Sequence, residues 1–218
     1  MKIENFITVG DSFTFGDEVE DKNKIWPIRL SEMLKAKVVN LGHSGVGHEY
    51  CIDAIIDHTK SYDCDLVVIA WPSPGRQQWS DIHNKFTVWP GMHDIFADTP
   101  WRNELLDWMN RHHEPEYLYG KFINNLILCQ GYLHSQNIPY IMMCVDANDY
   151  YHKKYSAYYT ELHSKLINFD TMLEWPNKGI VQWGLEAGCK FGKGGHILED
   201  GHQLVADKVL THIRNNIQ

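Results

Sequence analysis

Phe6-Ile7-Thr8-Val9-Gly10-Asp11-Ser12-Phe13-Thr14-Phe15-Gly16 is the stretch whose reading decides the fold. Its first four residues form a short apolar run rich in β-branched side chains, the pattern of a strand buried on both faces of a parallel sheet. Gly10 permits a sharp turn, and the Asp11 carboxylate can fold back onto backbone N–H groups of that turn. Ser12 then stands just past the carboxyl end of the strand, where open α/β sheets place their ligands. The reading of Ser12 is a nucleophile.

Outward from this turn the chain alternates. The apolar spacing of Ile28, Leu30, Met33 and Leu34 predicts a helix over 26–34, with Pro27 suited to its first turn. Val38 and Val39 mark a second strand, followed by the glycine-rich loop Gly42-His43-Ser44-Gly45-Val46-Gly47. A helix over 49–60 and a strand over 66–71, the most apolar run in the chain, complete a strand-helix-strand-helix-strand rhythm. That rhythm predicts a three-layer α/β/α sandwich around a mainly parallel sheet. The segment 72–113 breaks the pattern with Trp, Pro, His and Asp, and reads as an insertion over the active face. Beyond it a helix over 116–136, a strand over 138–145, a Tyr-rich helix over 150–166 and a final helix over 203–217 are expected. At 218 residues without repeats or linkers, one domain spanning 1–218 is the expectation.

Composition narrows the function classes. A formal net charge of −8 leaves no basic stripe for phosphate backbones, so a nucleic-acid partner is not expected. The five cysteines Cys51, Cys64, Cys129, Cys144 and Cys189 are odd in number and widely spaced, as free thiols of a reducing compartment are. Nothing approaches a membrane-spanning run or an export leader, and the expected location is cytoplasmic, or virion-associated if the chain is phage-encoded. Eight Trp and eleven Tyr exceed the needs of a core this size, so some are expected to line a cleft.

A serine hydroxyl needs a base, and His202 in Leu198-Glu199-Asp200-Gly201-His202 is the candidate, with a carboxylate nearby to orient its ring. Gly10-Asp11-Ser12, followed by Phe13 and Gly16 near the N-terminus, resembles the first block of the SGNH (GDSL) hydrolases. Asn40-Leu41-Gly42-His43-Ser44-Gly45 resembles the second, and the acid-to-histidine stretch at 198–202 the last. The resemblance implies a flavodoxin-like fold, a Ser12-His202 pair oriented by Asp200 or, at the common family spacing, by Glu199, and oxyanion donors from the Ser12 and Gly45 N–H groups. The third block departs from the pattern. Where a Gly-x-Asn-Asp stretch is expected, the chain reads Ala70-Trp71-Pro72-Ser73-Pro74-Gly75-Arg76. Ser73 takes the asparagine's place as a candidate hydroxyl donor, and Arg76 offers a cation to an oxyanion or a substrate carboxylate. This run is similar to a divergent SGNH branch of tailed-phage proteins.

The resemblance implies hydrolysis of an ester, a small acyl ester or an O-acetyl group on a carbohydrate, without a cofactor. Arg76, Trp71 and Asp11 are the expected substrate contacts. A non-catalytic module stacking a sugar on Trp71, Trp79, Trp89 and Trp101, and an acyltransferase, are the rival readings. Thirteen histidines raise a metal site, but His93 with Asp94 and Asp98, and the adjacent His112 and His113, lack ligand spacing. Gly192-Lys193-Gly194-Gly195 is too short for a phosphate loop and reads as a flexible connector.

Overall fold

The computed structural model describes residues 2–80, 85–88, 111, 114–148, 152–154 and 165–216. Four strands, β1 (Asn5–Gly10), β2 (Lys37–Asn40), β3 (Leu66–Trp71) and β6 (Tyr140–Cys144), form a parallel sheet in the order β2-β1-β3-β6. The register of β1 sets Phe6 beside Leu66 and Gly10 beside Ala70, so the two central strands end level with each other. Parallel neighbours need crossovers, and helices supply them. Between β1 and β2 run α1 (Ser12–Phe15) and α2 (Trp26–Leu34); α3 (His48–Thr59) leads to β3, and α4 (Pro115–Ser135) leads to β6. After β6 come α5 (Ile180–Glu186) and α6 (Glu199–Asn216).

Alternation along the strands sorts the core into two layers. Phe6, Leu66, Val68, Ala70, Ile141 and Met143 face α2, α5 and α6. Ile7, Val9, Val67, Ile69, Trp71 and Met142 face α3 and α4. All six residues of β3 are buried, as its unbroken apolar run requires. The expected three-layer sandwich is formed, with the order and switch point of the flavodoxin-like class.

Helix α5 is an element the sequence reading did not contain; for the expected elements that are described, boundaries agree with that reading except at the C-terminal helix. Its start lies at Glu199 rather than at 203, which puts His202 inside the first turn instead of before it. Glu199 and Asp200 are the acidic residues that favour a helix N-terminus. Within 72–113, Gln77–Ser80 (β4) and Lys85–Val88 (β5) pair as an antiparallel hairpin. The remainder of that insertion, and most of the helix expected over 150–166, lie outside the described residues. The five cysteines are all free thiols. Among the described residues no helix is long and apolar enough to cross a membrane.

Candidate active site

Asp11 builds the turn after β1. Its Oδ1 accepts the Phe13 N–H at 3.1 Å, and its carbonyl accepts the N–H groups of Thr14 and Phe15 at 2.9 Å. This caps α1 and places Ser12 at its start. Gly10 permits a close approach here, because a Cβ would lie 2.3 Å from Thr14 Oγ1 and 2.6 Å from the Ala70 carbonyl, and those neighbours would have to shift. The loop after β2 is laced onto the same turn. Asn40 Nδ2 donates to the Thr14 carbonyl at 3.0 Å, Asn40 Oδ1 accepts the Gly42 N–H at 2.9 Å, and the His43 N–H reaches the Gly10 carbonyl at 3.0 Å. Gly45 follows with φ of 73° in the left-handed region, the conformation glycine allows.

Ser12 Oγ lies 2.9 Å from Nε2 of His196, and Nδ1 of His196 lies 3.0 Å from Oε2 of Glu18. The carboxylate fixes the neutral tautomer with its proton on Nδ1, leaving Nε2 to accept from the serine hydroxyl. Glu18 also takes the Gly194 N–H at 2.8 Å and the His196 N–H at 3.3 Å, so it holds both the ring and the backbone that carries it. These bonds, the Gly194 N–H foremost and the His196 ring next, hold its carboxyl below the usual glutamate range. Glu18 itself adopts φ of 63°, unusual for a residue with a side chain and the kind of local strain found at functional sites. The Phe13 ring, its centroid 5.0 Å from that of His196, packs against the imidazole.

The expected pairing of Ser12 with His202 is not formed. His202 is fully buried, and its Nδ1 accepts the Trp26 N–H at 3.1 Å, tying α6 to the start of α2. Burial first, then the nearby Arg29 and Lys22 cations, lower its pKa to about 4. The two candidate acids are likewise engaged elsewhere. Asp200 accepts the N–H groups of Lys190 and Gly201, and Glu199 pairs with Lys24 at 2.9 Å. Proximity in sequence misled here, because within a helical turn Asp200 and His202 diverge.

Glu18 and His196 are the residues that sequence reasoning missed. Glu18 lies between the nucleophile turn and the helix over 26–34, where the sequence singles out no residue, and His196 follows the glycine tract read as a connector. The signal was that tract. A Cβ on Gly192 would lie 2.4 to 2.6 Å from the Glu18 carboxyl atoms, so glycine there permits close approach rather than flexibility.

The loop after β3 is fixed by His48, which is buried and lowered to about 4 by desolvation; its Nε2 lies 3.0 Å from the Ser73 carbonyl. The Arg76 N–H donates to the same carbonyl at 3.0 Å, and the Arg76 guanidinium reaches Asp11 Oδ2 at 3.3 Å. Asp11 has no exposed surface, so it supports the turn and does not meet a substrate. Trp71 also corrects its expectation. It is fully buried, with its ring edge-on to Phe122 at 6.1 Å, and offers no stacking face to a sugar. The side chain of Trp79, and all of Trp89 and Trp101, lie outside the described residues. So do His93, Asp94, Asp98, His112 and His113; among the described residues no three His, Cys, Asp or Glu side chains are grouped to hold a metal ion.

No family model matches the chain, and no curated protein does. Solved structures do. The crystal structure of TesA matches 97% of this chain and 99% of its own, at 15% identity and a TM-score of 0.59. A lipolytic protein of the G-D-S-L family from Veillonella parvula DSM 2008 matches over 95% and 97%, at 15% identity and a TM-score of 0.53. A two-domain esterase active on acetylated mannans matches 97% of this chain with 48% of its own, at 13% identity and a TM-score of 0.52. The chain has the α/β/α fold shared by these proteins.

Proposed function

We propose that the protein is a serine ester hydrolase in which Ser12 is the nucleophile, His196 the base and Glu18 the acid that orients it. The observation that carries this is the unbroken chain from Ser12 Oγ through His196 to Glu18, with contacts of 2.9 and 3.0 Å. Ser12 Oγ attacks the ester carbonyl while His196 Nε2 takes its proton, and Glu18 stabilises the imidazolium. The proton then passes to the leaving alcohol, and an acyl group remains on Ser12. Water, deprotonated by the same nitrogen, releases the acid. Oxyanion donors are assigned to the Ser12 and Gly45 N–H groups and the Ser73 hydroxyl.

The substrate class we infer is a small acyl ester, with O-acetyl groups on a carbohydrate favoured by the mannan esterase among the structural neighbours. The phage-like branch rests on the Trp71-to-Arg76 run, and a reducing location rests on the free cysteines. The insertion 72–113 is assigned to the active face because its first residues extend from the loop that carries Ser73 and Arg76. The test is hydrolysis of a chromogenic acetate together with covalent labelling by a fluorophosphonate. Wild type is expected to turn over the acetate and carry one label on Ser12, and Ser12→Ala to do neither. Unlabelled, inactive wild type would overturn the reading.

A further inference from the structure

The adjacent strands β1, β3 and β6 are followed at their carboxyl ends by Asp11, Arg76 and Asp146. The Arg76 guanidinium lies 3.3 Å from Asp11 Oδ2 and also acts electrostatically on Asp146. A carboxylate without exposed surface must be paired or become neutral. Asp11 is such a group, and its two oxygens have separate tasks. Oδ1 caps α1 through the Phe13 N–H, while Oδ2 faces the Arg76 guanidinium at 3.3 Å. The Arg76 backbone is anchored independently, through the Ser73 carbonyl that His48 also contacts.

We propose that Arg76 is a positioning residue: its guanidinium, 3.3 Å from Asp11 Oδ2, pairs the buried carboxyl group and so holds the turn that aims the Ser12 hydroxyl at His196. This rests on the reading of Ser12 and His196 given above. Arg76 from the loop after β3 and the Phe13 N–H from α1 contact Asp11, and Asp146 from beyond β6, His196 from the loop before α6 and Cys51 from α3 interact with it electrostatically. Burial is the largest influence and raises the Asp11 carboxyl, and Asp146 adds to it; Arg76 is the strongest opposing one. Asp146 is itself raised by burial and drawn back by Arg76. A protonated Asp11 would turn an O–H or a weaker acceptor toward Arg76 and Phe13, both of which only donate. The cap would loosen and the serine would drift. The ionic link also gives a function to an arginine in the segment where the family resemblance leads one to expect an asparagine.

The test is the rate at which a fluorophosphonate labels Ser12, followed from acid to neutral pH, with near-ultraviolet circular dichroism to confirm folding. Arg76→Met is expected to slow labelling at neutral pH about a hundredfold, the cost of a misplacement of about 1 Å. Its acid limb should move to higher pH. Arg76→Lys should restore most of the rate and return the limb to its wild-type position. In an Asp11→Asn background, Arg76→Met should move the limb no further. Folded Arg76→Met with an unchanged limb, or an equal shift in the Asp11→Asn background, would overturn the proposal while leaving the nucleophile assignment intact. If Arg76→Met does not fold, Arg76→Lys decides, since a limb displaced upward in that variant would be the contrary result. Wild type that takes no label would remove the nucleophile assignment and this proposal with it.

Discussion

The serine and the histidine of the proposed site reach the same point by different routes. Ser12 sits in a turn whose own framework is short-range: Phe13 N–H to Asp11 Oδ1, Thr14 and Phe15 N–H to the Asp11 carbonyl, Gly16 N–H to the Ser12 carbonyl at 2.8 Å, with the loop after β2 and Arg76 then joined to it. His196 is held by Glu18, 178 positions earlier in the chain. The first arrangement is written locally and forms with β1. The second exists only when the two ends of the chain have folded together. Damage to the turn's backbone should therefore cost stability as well as the aim of Ser12, and damage to the Glu18 clamp should cost chemistry with little loss of stability.

Glu18→Gln tests the long-range arm most severely. The amide cannot hold the Nδ1 proton in place, and hydrolysis is expected to fall roughly 10⁴-fold, as when the acid of a serine triad is made neutral. The melting temperature should change little, because the carboxylate is partly exposed. A large drop in melting temperature with preserved activity would reverse the contrast.

His202 should behave in the opposite sense. Its pKa falls to about 4 in the folded protein, so protonation favours the unfolded chain. Its contribution to stability is complete above the ordinary histidine pKa of about 6.5 and is lost as pH falls toward about 4. At about 1.4 kcal/mol per pKa unit this is roughly 3 kcal/mol, to which the similarly buried His48 adds its own share. Urea unfolding at neutral and mildly acid pH measures it. His202→Asn, which keeps an acceptor near the Trp26 N–H, should flatten the dependence.

Gly192→Ala sharpens the comparison from the other side of the clamp. The new Cβ would meet the Glu18 carboxyl at 2.4 Å and displace it, and a fall in turnover of about a hundredfold is expected. The smallest effect belongs to the turn itself. Gly10→Ala crowds Thr14 and Ala70, and chemical unfolding should show a loss of about 1–3 kcal/mol.

The same contrast explains what was legible in the sequence. The nucleophile turn, the Asn40-to-Gly45 loop and the buried strand β3 could be read because residue type and conformation are coupled over a few positions. Hydrophobic period placed the helices on the two faces for the same reason. His196 and Glu18 were not legible, since no residue type near either one names a partner 178 positions away. The eye was drawn to Asp200 and His202, whose closeness in sequence reflects the start of α6. Only the glycines at 192–195 hinted that backbone and carboxylate meet closely there, and glycine tracts serve flexible loops as often.

The most direct measurement compares fluorophosphonate labelling of Ser12 in His196→Gln and His202→Asn at neutral pH, both checked for folding. Labelling is expected to collapse by 10³-fold or more, on the order seen when a triad base is removed, in His196→Gln. His202→Asn should label at close to the wild-type rate. The reverse pattern, with His196→Gln reactive and folded His202→Asn inert, would contradict the assignment of His196 as the base.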